Sequence, residues 1–220
     1  MSAPAPLAVD VFADVVCPWC WIGERRLARA LAERPDLRVA RRWRPFQLRP
    51  DLPREGASWS EFKRQTFGSE ARARAAFAQV ATAGADVNVR FDFDRVAHAP
   101  STVDAHRVIL LAAAAGREWD AAERLFAAHF LEGANLGDRD QLASLSAEAG
   151  LDATAVRSHL ETEEGIPEVH ESQREARALG VAGVPFVVLD GRYAVAGAQP
   201  LEVFLRALDT AAGKDQERLL

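Results

Sequence analysis

The sequence predicts an α/β protein in which both ends of the chain build one sheet-containing unit and the middle is helical. Two observations support this prediction: strand-like apolar runs lie near the two ends, and residues 56–178 show helical patterns. A third is a pair of cysteines placed where the first predicted strand meets the first predicted helix. We therefore expect a discontinuous α/β domain over residues 1–55 and 179–220, with a helical domain inserted over residues 56–178.

The N-terminal part of the chain has the pattern of a β–α–β unit. Residues 7–13 form a mostly apolar run that is typical of a buried strand. Residues 18–34 follow as a helix, with Pro18 at a first helical position and Pro35 at its end. Residues 37–43 alternate in polarity well enough to be the second strand.

Helix-start signals recur through the middle of the chain. Ser58 with Glu61 forms a capping box, Ser69 can begin the next helix, and Ser101 with Asp104 resembles a third start. The helices that begin at Ser69 and Ser101 are expected to reach about residues 84 and 116. Further helices are predicted at 117–131, 139–149, 153–162 and 167–179, and Gly180 then acts as a stop signal.

The C-terminal part of the chain returns to strand patterns. Residues 185–189 are a short β-branched run, and residues 192–196 are its expected partner strand. Between them, Asp190-Gly191 is a sequence typical of a two-residue hairpin turn. Pro200 is predicted to occupy the first position of a last helix that ends near residue 212.

Composition and charge exclude several classes of protein. The net charge is −5 and the basic residues are spread along the chain, which argues against a nucleic-acid partner. Residues 1–7 lack the basic and apolar regions of a signal peptide. The longest apolar stretch, residues 108–115, is too short to span a bilayer. We expect a cytoplasmic protein without a membrane partner.

The sequence contains two cysteines, Cys17 and Cys20, which lie three positions apart. This pattern is not the disulfide framework of a small secreted domain. A structural zinc site usually needs four ligands, and no second pair of cysteines is present. A zinc half-site completed across a homodimer is the remaining metal alternative, and we predict neither a bound metal nor a bound cofactor.

The spacing Cys17-Pro18-Trp19-Cys20 predicts thiol–disulfide exchange. Cys17 lies at the start of a helix, where free N–H groups and the macrodipole favour an anion such as a thiolate. Cys20 lies one turn later on the same face, so we assign Cys17 as the attacking thiol and Cys20 as the resolving thiol. Pro18 stiffens the turn, and Trp19 offers an apolar surface to substrate. The alternative is two buried structural cysteines.

A second feature lies far along the chain at Gly183-Val184-Pro185-Phe186. An X-Pro bond immediately before a strand is a place where a cis peptide bond occurs. The alternative is a trans proline that begins an edge strand.

Together these motifs resemble the DsbA-like thioredoxin superfamily, and more narrowly its FrnE-type subgroup. The stretches that support the resemblance are residues 14–23, 43–48, 104–107 and 197–199. It implies a thioredoxin-like fold (βαβ … ββα), a cis Val184–Pro185 bond facing the cysteines, and backbone hydrogen bonds from Val184 to a substrate strand. The implied catalytic residues are Cys17, Cys20 and Pro185, and the substrate-binding residues are Pro18, Trp19, Val184 and Phe46.

Three functions are compatible with this pattern. The first is a dithiol–disulfide oxidoreductase or isomerase, monomeric or homodimeric, whose partners are substrate proteins or small thiols such as glutathione. The second is a glutathione-dependent isomerase or tailoring enzyme for a small aromatic or polyketide-like substrate. Relatives of this kind are the 2-hydroxychromene-2-carboxylate isomerases and the kappa glutathione transferases. The third is a non-enzymatic binding module. The intact pair of cysteines favours the first function.

Some positions depart from the family pattern. Glu24 stands where a basic residue is usual, and a carboxylate there would stabilise a thiolate at Cys17 less than a basic residue. Ser101 stands where Asn is usual, and Ala196 stands where Ser is usual. Val11 replaces the buried acid often found six residues before the first cysteine. The nearest carboxylate, Asp14, is then either the proton acceptor for Cys20 or a capping or turn residue.

The histidines and large aromatic residues are expected to be mainly structural. His106 is predicted to be a hydrogen-bonded structural residue, whereas His129, His159 and His170 have the pattern of helix-surface residues. The aromatic residues expected to pack in the core or at the domain junction are Trp21, Trp43, Phe46 and Trp59.

Overall fold

A computed structural model describes residues 5–214 and contains a mixed four-stranded sheet. Its strands are β1 (Leu7–Ala13), β2 (Val39–Pro45), β5 (Phe186–Leu189) and β6 (Tyr193–Ala196), in the order β2-β1-β5-β6. β1 pairs parallel with β2, and β5 pairs antiparallel with both β1 and β6. The two remaining strands, β3 (Ala57–Ser58) and β4 (His98–Ala99), form a small separate hairpin.

The helices fill the sequence between and after these strands. They are α1 (Pro18–Ala32), α2 (Trp59–Phe67), α3 (Glu70–Ala85), α4 (Val103–Ala114), α5 (Glu118–Ala127), α6 (Arg139–Glu148), α7 (Ala153–Glu161), α8 (Ile166–Ala178) and α9 (Leu201–Ala211). A π-helical segment, Ala128–Glu132, continues α5. The βαβ … ββα order and the helical middle of the chain confirm the predicted fold class.

The second strand differs from its prediction. β2 runs over Val39–Pro45 rather than residues 37–43, because a turn in which Leu37 N–H donates to Arg34 O at 3.0 Å occupies the chain after α1. β2 can end at Pro45 because it is an edge strand. Proline has no N–H, and at this edge position the sheet does not need one.

The β5–β6 hairpin confirms the predicted turn. Asp190 and Gly191 both have positive φ, 51° and 66°, as a two-residue turn of this kind requires. The Asp190 carboxylate also accepts a hydrogen bond from Ala8 N–H at 2.9 Å, so the turn is tied to β1 at the centre of the sheet.

Several helix boundaries follow from side-chain caps. Ser58 and Ser69 accept hydrogen bonds from the N–H groups of Glu61 and Arg72, as the sequence predicts. The predicted start at Ser101 is wrong, because Thr102 precedes α4 and Asp104 binds arginine side chains rather than capping the helix. α9 begins at Leu201, one residue after the predicted Pro200.

The helical segment and the sheet share one apolar core. Trp21 of α1 stacks on Phe126 of α5, with ring centroids 5.7 Å apart and planes inclined by 4°. Its Nε1 donates a hydrogen bond to Glu123 at 2.8 Å. The predicted division at residues 55 and 179 stays a prediction, and residues 1–4 and 215–220 of those ranges lie outside the described part of the chain.

Between residues 5 and 214 the structure contains no helix that is both long and apolar enough to cross a bilayer.

Candidate active site

The two cysteines lie where β1 leads into α1. The backbone N–H of Cys17 donates to Asp14 O at 3.0 Å, which closes the turn after the strand. Cys17 is the N-cap residue of α1 and Pro18 follows at the first helical turn, as the sequence predicts. No side chain caps this helix end. Pro18 has no N–H, and the N–H groups of Cys20 and Trp21 donate to Cys17 O, so the Trp19 N–H and the positive end of the helix dipole are left to interact with an anion at Cys17.

The two thiols have different surroundings. Both cysteines are reduced, and Cys17 is 4% exposed while Cys20 is 1% exposed. Burial raises the pKa of Cys20 well above its ordinary value, and a hydrogen bond to Cys17 raises it further. Cys20 is therefore held as a protonated thiol beside the sulfur of Cys17. Trp19, between them, is 37% exposed and presents its indole to solvent.

The loop before β5 faces this pair. The Val184–Pro185 bond is cis, and the Cys17 thiol lies 3.6 Å from Val184 O. Pro185 is buried against α1, where a Cβ on Gly23 would lie 2.8 Å from Pro185 Cγ. The structure thus brings Cys17, Cys20 and Pro185 together across more than 160 residues of sequence.

The other predicted substrate-binding residues divide into two groups. Pro18, Trp19 and Val184 keep exposed or half-buried surface around Cys17. Phe46 is only 7% exposed and belongs to a small apolar cluster with Phe12, Ala176 and Val181. Its burial argues against the predicted contact with substrate and favours the alternative of core packing.

Asp14 is a buried carboxylate directly beneath the cysteine turn, 1% exposed. Its Oδ2 accepts a hydrogen bond from Leu48 N–H at 2.8 Å. Its Oδ1 lies 3.4 Å from His106 Nε2, and neither of these two atoms has a hydrogen bond of good geometry. Since no side chain caps α1, the capping role considered for Asp14 is excluded.

The orientation of His106 defines which of its nitrogens carries the proton. His106 is fully buried, and Trp43 Nε1 donates to its Nδ1 at 3.3 Å. An indole N–H can only donate, so Nδ1 is the acceptor and Nε2 carries the hydrogen that faces Asp14. This contact agrees with the predicted hydrogen-bonded, structural His106.

Three further positions that depart from the family pattern are Glu24, Val11 and Ala196. Glu24 accepts a hydrogen bond from Arg41 at 2.7 Å, and the Arg41 guanidinium in turn lies over the Trp119 ring. Burial raises the pKa of Glu24, and the charge of Arg41 opposes that shift. Val11 is a core residue, and Ala196 is exposed on β6.

His129 is a site residue that the sequence did not reveal. It is 2% exposed rather than on a helix surface, so the prediction for this histidine is wrong. Burial lowers its pKa to about 4, which keeps the imidazole neutral at physiological pH. The helical pattern of residues 117–131 gives no signal for this burial, because the inward orientation depends on the π-helical segment Ala128–Glu132.

The other histidines are outside the site. His98 and His170 are exposed, whereas His159 is mostly buried against the loop that follows α7. Among residues 5–214, no three His, Cys, Asp or Glu side chains are grouped as metal ligands would be.

The chain is similar to known proteins in both sequence and fold. Residues 8–209 match the family model of the DSBA-like thioredoxin domain. The crystal structure of a probable DsbA oxidoreductase from Streptomyces coelicolor is 33% identical, covers 94% of this chain and 90% of its own, and superposes with a TM-score of 0.85.

Two further proteins are similar over nearly their whole lengths. The uncharacterized protein YwbO of Bacillus subtilis is 26% identical over 201 residues, which are 91% of this chain and 94% of YwbO. The cytosolic disulfide reductase DsbM of Pseudomonas aeruginosa, solved with GSH, is 21% identical with a TM-score of 0.62 and covers 97% of this chain and 100% of its own.

Proposed function

This chain belongs to the DSBA-like thioredoxin domain family, and from that membership we propose that it is a thiol–disulfide oxidoreductase that uses Cys17 and Cys20. The observation that carries the proposal is the contrast between the two thiols. Cys17 lies at the uncapped start of α1 and faces the Val184–Pro185 loop, whereas Cys20 is buried behind it as a protonated thiol.

In the first step Cys17 attacks a substrate disulfide. Its thiolate forms a bond to one substrate sulfur, the substrate S–S bond breaks, and the other sulfur leaves as a thiolate that takes a proton from water. The Trp19 N–H and the dipole of α1 stabilise the anionic form of the attacking sulfur.

In the second step Cys20 resolves the mixed disulfide. Its sulfur bonds to the sulfur of Cys17, the substrate thiolate leaves, and the Cys20 proton must go to a base. We assign that base to Asp14, because its carboxylate is buried beneath the cysteine turn and its charge acts on the Cys20 thiol. Leu48 N–H, 2.8 Å from Oδ2, orients the carboxylate, and His106 Nε2–H faces its Oδ1 at 3.4 Å.

Substrate is proposed to lie across Trp19 and the Val184–Pro185 loop. In the part of the chain that the structure describes, no backbone or side-chain acceptor engages the N–H of Val184. A substrate backbone can therefore pair with it in the manner of an added strand, while Trp19 and Pro18 supply apolar contact.

The compartment and the partners of this protein are proposed by analogy with a relative. The Pseudomonas aeruginosa relative DsbM is a cytosolic disulfide reductase and was solved with GSH. By analogy we assign this protein to the cytoplasm, with substrate proteins or small thiols such as glutathione as partners, and as a monomer or homodimer. The proposed chemistry needs no bound cofactor beyond the Cys17–Cys20 dithiol.

The alternative of a glutathione-dependent isomerase is distinguished by its use of the thiols. Such an enzyme needs glutathione as a bound co-substrate and does not need Cys20. Calorimetric titration with glutathione and the activity of Cys20→Ser therefore separate the two functions, since only the oxidoreductase requires both sulfur atoms.

The proposed oxidoreductase is tested by insulin reduction with wild type, Cys17→Ser and Cys20→Ser. We expect Cys17→Ser to lose activity and Cys20→Ser to accumulate a mixed disulfide with the substrate, visible by mass spectrometry. Equal turnover by wild type and Cys17→Ser would overturn the proposal.

A further inference from the structure

A cavity of about 240 Å³ lies beside the cysteine turn and is not part of the Cys17–Pro185 arrangement. Asp14 and Val16, which lead into Cys17, form one side of it. Leu52, which follows β2, and Trp59 and Phe62 of α2 form the facing walls. The cavity therefore lies between the sheet and the inserted helices.

The size and walls of this cavity suit one aromatic ring. A cavity of roughly 150 Å³ lined by apolar side chains is large enough to bind benzene. Pockets for drug-sized ligands begin at roughly 300 Å³, so this cavity holds a substituted ring rather than a larger molecule. Trp59 and Phe62 already stack on each other, with centroids 4.9 Å apart, and present aromatic surface to it.

His129 adds a hydrogen-bond acceptor to this apolar space. Its Nδ1 lies 3.5 Å from Ala134 O, and a carbonyl only accepts, so Nδ1 carries the hydrogen. Nε2 is then an unprotonated acceptor, and no group in residues 5–214 donates to it. Nε2 is not fully enclosed by protein atoms, and His129 lines the cavity, so this nitrogen is accessible from it. A ligand with an O–H donor would satisfy it.

The charges around the cavity favour an uncharged ligand. The buried Asp14 carboxylate opposes an anion, and its oxygens are held by Leu48 N–H and faced by His106. The cation at the wall, Arg49, is occupied by Asp51 through two hydrogen bonds of 3.1 Å. Glutathione, which carries two carboxylates, therefore suits the open surface around Cys17 better than this cavity.

We propose that the cavity binds a hydroxyl-bearing aromatic ring of a small disulfide whose sulfur reacts at Cys17. The proposal rests on the oxidoreductase function and specifies its substrate class. Val16 directly precedes Cys17, and Asp14 O accepts from Cys17 N–H, so the cavity wall and the nucleophile belong to the same turn. Reduction of this disulfide oxidises Cys17 and Cys20 to a protein disulfide and releases its two halves as thiols, at least one of which carries the hydroxylated ring.

Single-turnover oxidation of the reduced protein by three disulfides tests this proposal. The probes are bis(4-hydroxybenzyl) disulfide, dibenzyl disulfide and glutathione disulfide, and the quantity compared is the second-order rate of Cys17–Cys20 oxidation. The first two probes have similar leaving groups, so a rate difference reports the hydroxyl contact. One hydrogen bond to a neutral acceptor predicts a preference of about fivefold for the hydroxylated probe.

Variants test whether the preference comes from the cavity. Leu52→Trp fills it, and Thr66→Trp, at an exposed position on its rim, is a second filling variant. Both should lower the rate with bis(4-hydroxybenzyl) disulfide at least tenfold relative to glutathione disulfide. Leu179→Trp, the same kind of exchange at a residue 59% exposed and outside the cavity, should leave the ratio unchanged. His129→Leu should abolish the preference for the hydroxylated over the dibenzyl probe.

A sulfur-free ligand separates this proposal from the oxidoreductase function. Binding of 4-hydroxybenzyl alcohol, followed by its shifts of the Trp59 indole resonance, is expected for wild type and for Cys17→Ser but not for Leu52→Trp or Thr66→Trp. Binding without any disulfide reduction would overturn the proposed function alone. Reduction of glutathione disulfide with neither binding nor a changed ratio in the filled variants would overturn the cavity proposal alone.

Discussion

At the scale of single residues, the site separates two identical side chains by their environment. Cys17 has the N-terminus of α1 and Val184 O as neighbours, whereas Cys20 is enclosed by the core. Beneath them, the carboxylate of Asp14 is held by Leu48 N–H and faced by His106. Proton transfer at the two sulfur atoms therefore depends on these surrounding groups.

The first prediction concerns Asp14→Asn. If Asp14 accepts the proton of Cys20, the variant should resolve a Cys17 mixed disulfide about a hundredfold more slowly near neutral pH, a typical size for general base catalysis. The deficit should shrink as pH rises, because Cys20 then loses its proton to solvent. Release of the substrate thiol, followed by quenched-flow mass spectrometry across pH, measures this rate.

Faster resolution of the mixed disulfide in Asp14→Asn would have a different physical cause. The Asp14 charge raises the pKa of Cys20, so removal of that charge alone would make Cys20 easier to ionise. Faster resolution in Asp14→Asn would therefore contradict the assignment of Asp14 as the base. The isosteric amide keeps the volume of the side chain, and circular dichroism checks that the variant is folded.

The second prediction concerns the buried His129. Its pKa in the folded protein is about 4, against 6.5 when unperturbed, so between these values the unfolded chain binds more protons. The stability that neutral His129 permits is present above pH 6.5 and is lost as pH falls towards 4. The difference corresponds to about 3 kcal/mol.

Urea unfolding at several pH values measures this effect. Wild type should lose about 3 kcal/mol more than His129→Gln between pH 7 and pH 4, since the variant has no proton to bind at this position. His170→Gln, at an exposed position, serves as the control and should follow wild type. Parallel curves for wild type and His129→Gln would contradict the low pKa.

At the scale of secondary-structure elements, the site depends on how closely α1 approaches the loop before β5. Gly23 lies in the interior of α1, where glycine is unfavourable for a helix. Its lack of a side chain allows Pro185 to pack directly on the helix, and Ala198 lies on the same side. The position of the Val184 carbonyl beside Cys17 thus depends on a residue that carries no functional group.

The third prediction is that Gly23→Ala destabilises the protein despite the better helix propensity of alanine. The new Cβ would lie 2.8 Å from Pro185 Cγ, so the loop must move away from α1. We expect a lower urea midpoint and a changed alkylation rate at Cys17. The reverse exchange Ala28→Gly in the same helix measures propensity alone, with an expected cost of about 1 kcal/mol. A stabilised Gly23→Ala with wild-type Cys17 reactivity would contradict the prediction.

At the scale of the whole molecule, the inserted helices and the sheet do not have separate cores. Trp21 stacks on Phe126 and lies 6.2 Å from Phe130, and Trp43 of β2 packs against Trp119 at 5.8 Å. These contacts place side chains from both ends and the middle of the chain in one apolar cluster. The cysteine turn therefore lies on a body whose parts stabilise one another.

The fourth prediction follows from this shared core. Loss of helix, followed by far-ultraviolet circular dichroism, and exposure of the Cys20 thiol, followed by alkylation in Cys17→Ser, should have the same urea midpoint. Trp21→Ala should lower both midpoints together, because it removes contacts on each side of the junction, and a cost of about 3 kcal/mol or more is typical for such a truncation. An earlier transition for thiol exposure would show that the sheet unfolds independently.

Much of the fold and part of the site could be predicted because their signals are local in sequence. The strand and helix patterns, the capping serines and the Asp190-Gly191 turn depend on neighbours within a few residues. The boundary errors have equally local causes: at β2 a turn delays the strand, and at α4 the carboxylate of Asp104 pairs with arginines instead of the helix end.

The sequence by itself determined the class of fold, the dithiol and its position at the start of a helix, because spacing and side-chain chemistry are encoded within a short segment. Only the tertiary structure decided that Asp14 faces His106, that His129 is neutral and lines a cavity, and that Phe46 is core. These properties depend on burial and on distances between residues remote in sequence, and periodicity along a chain carries no information about either.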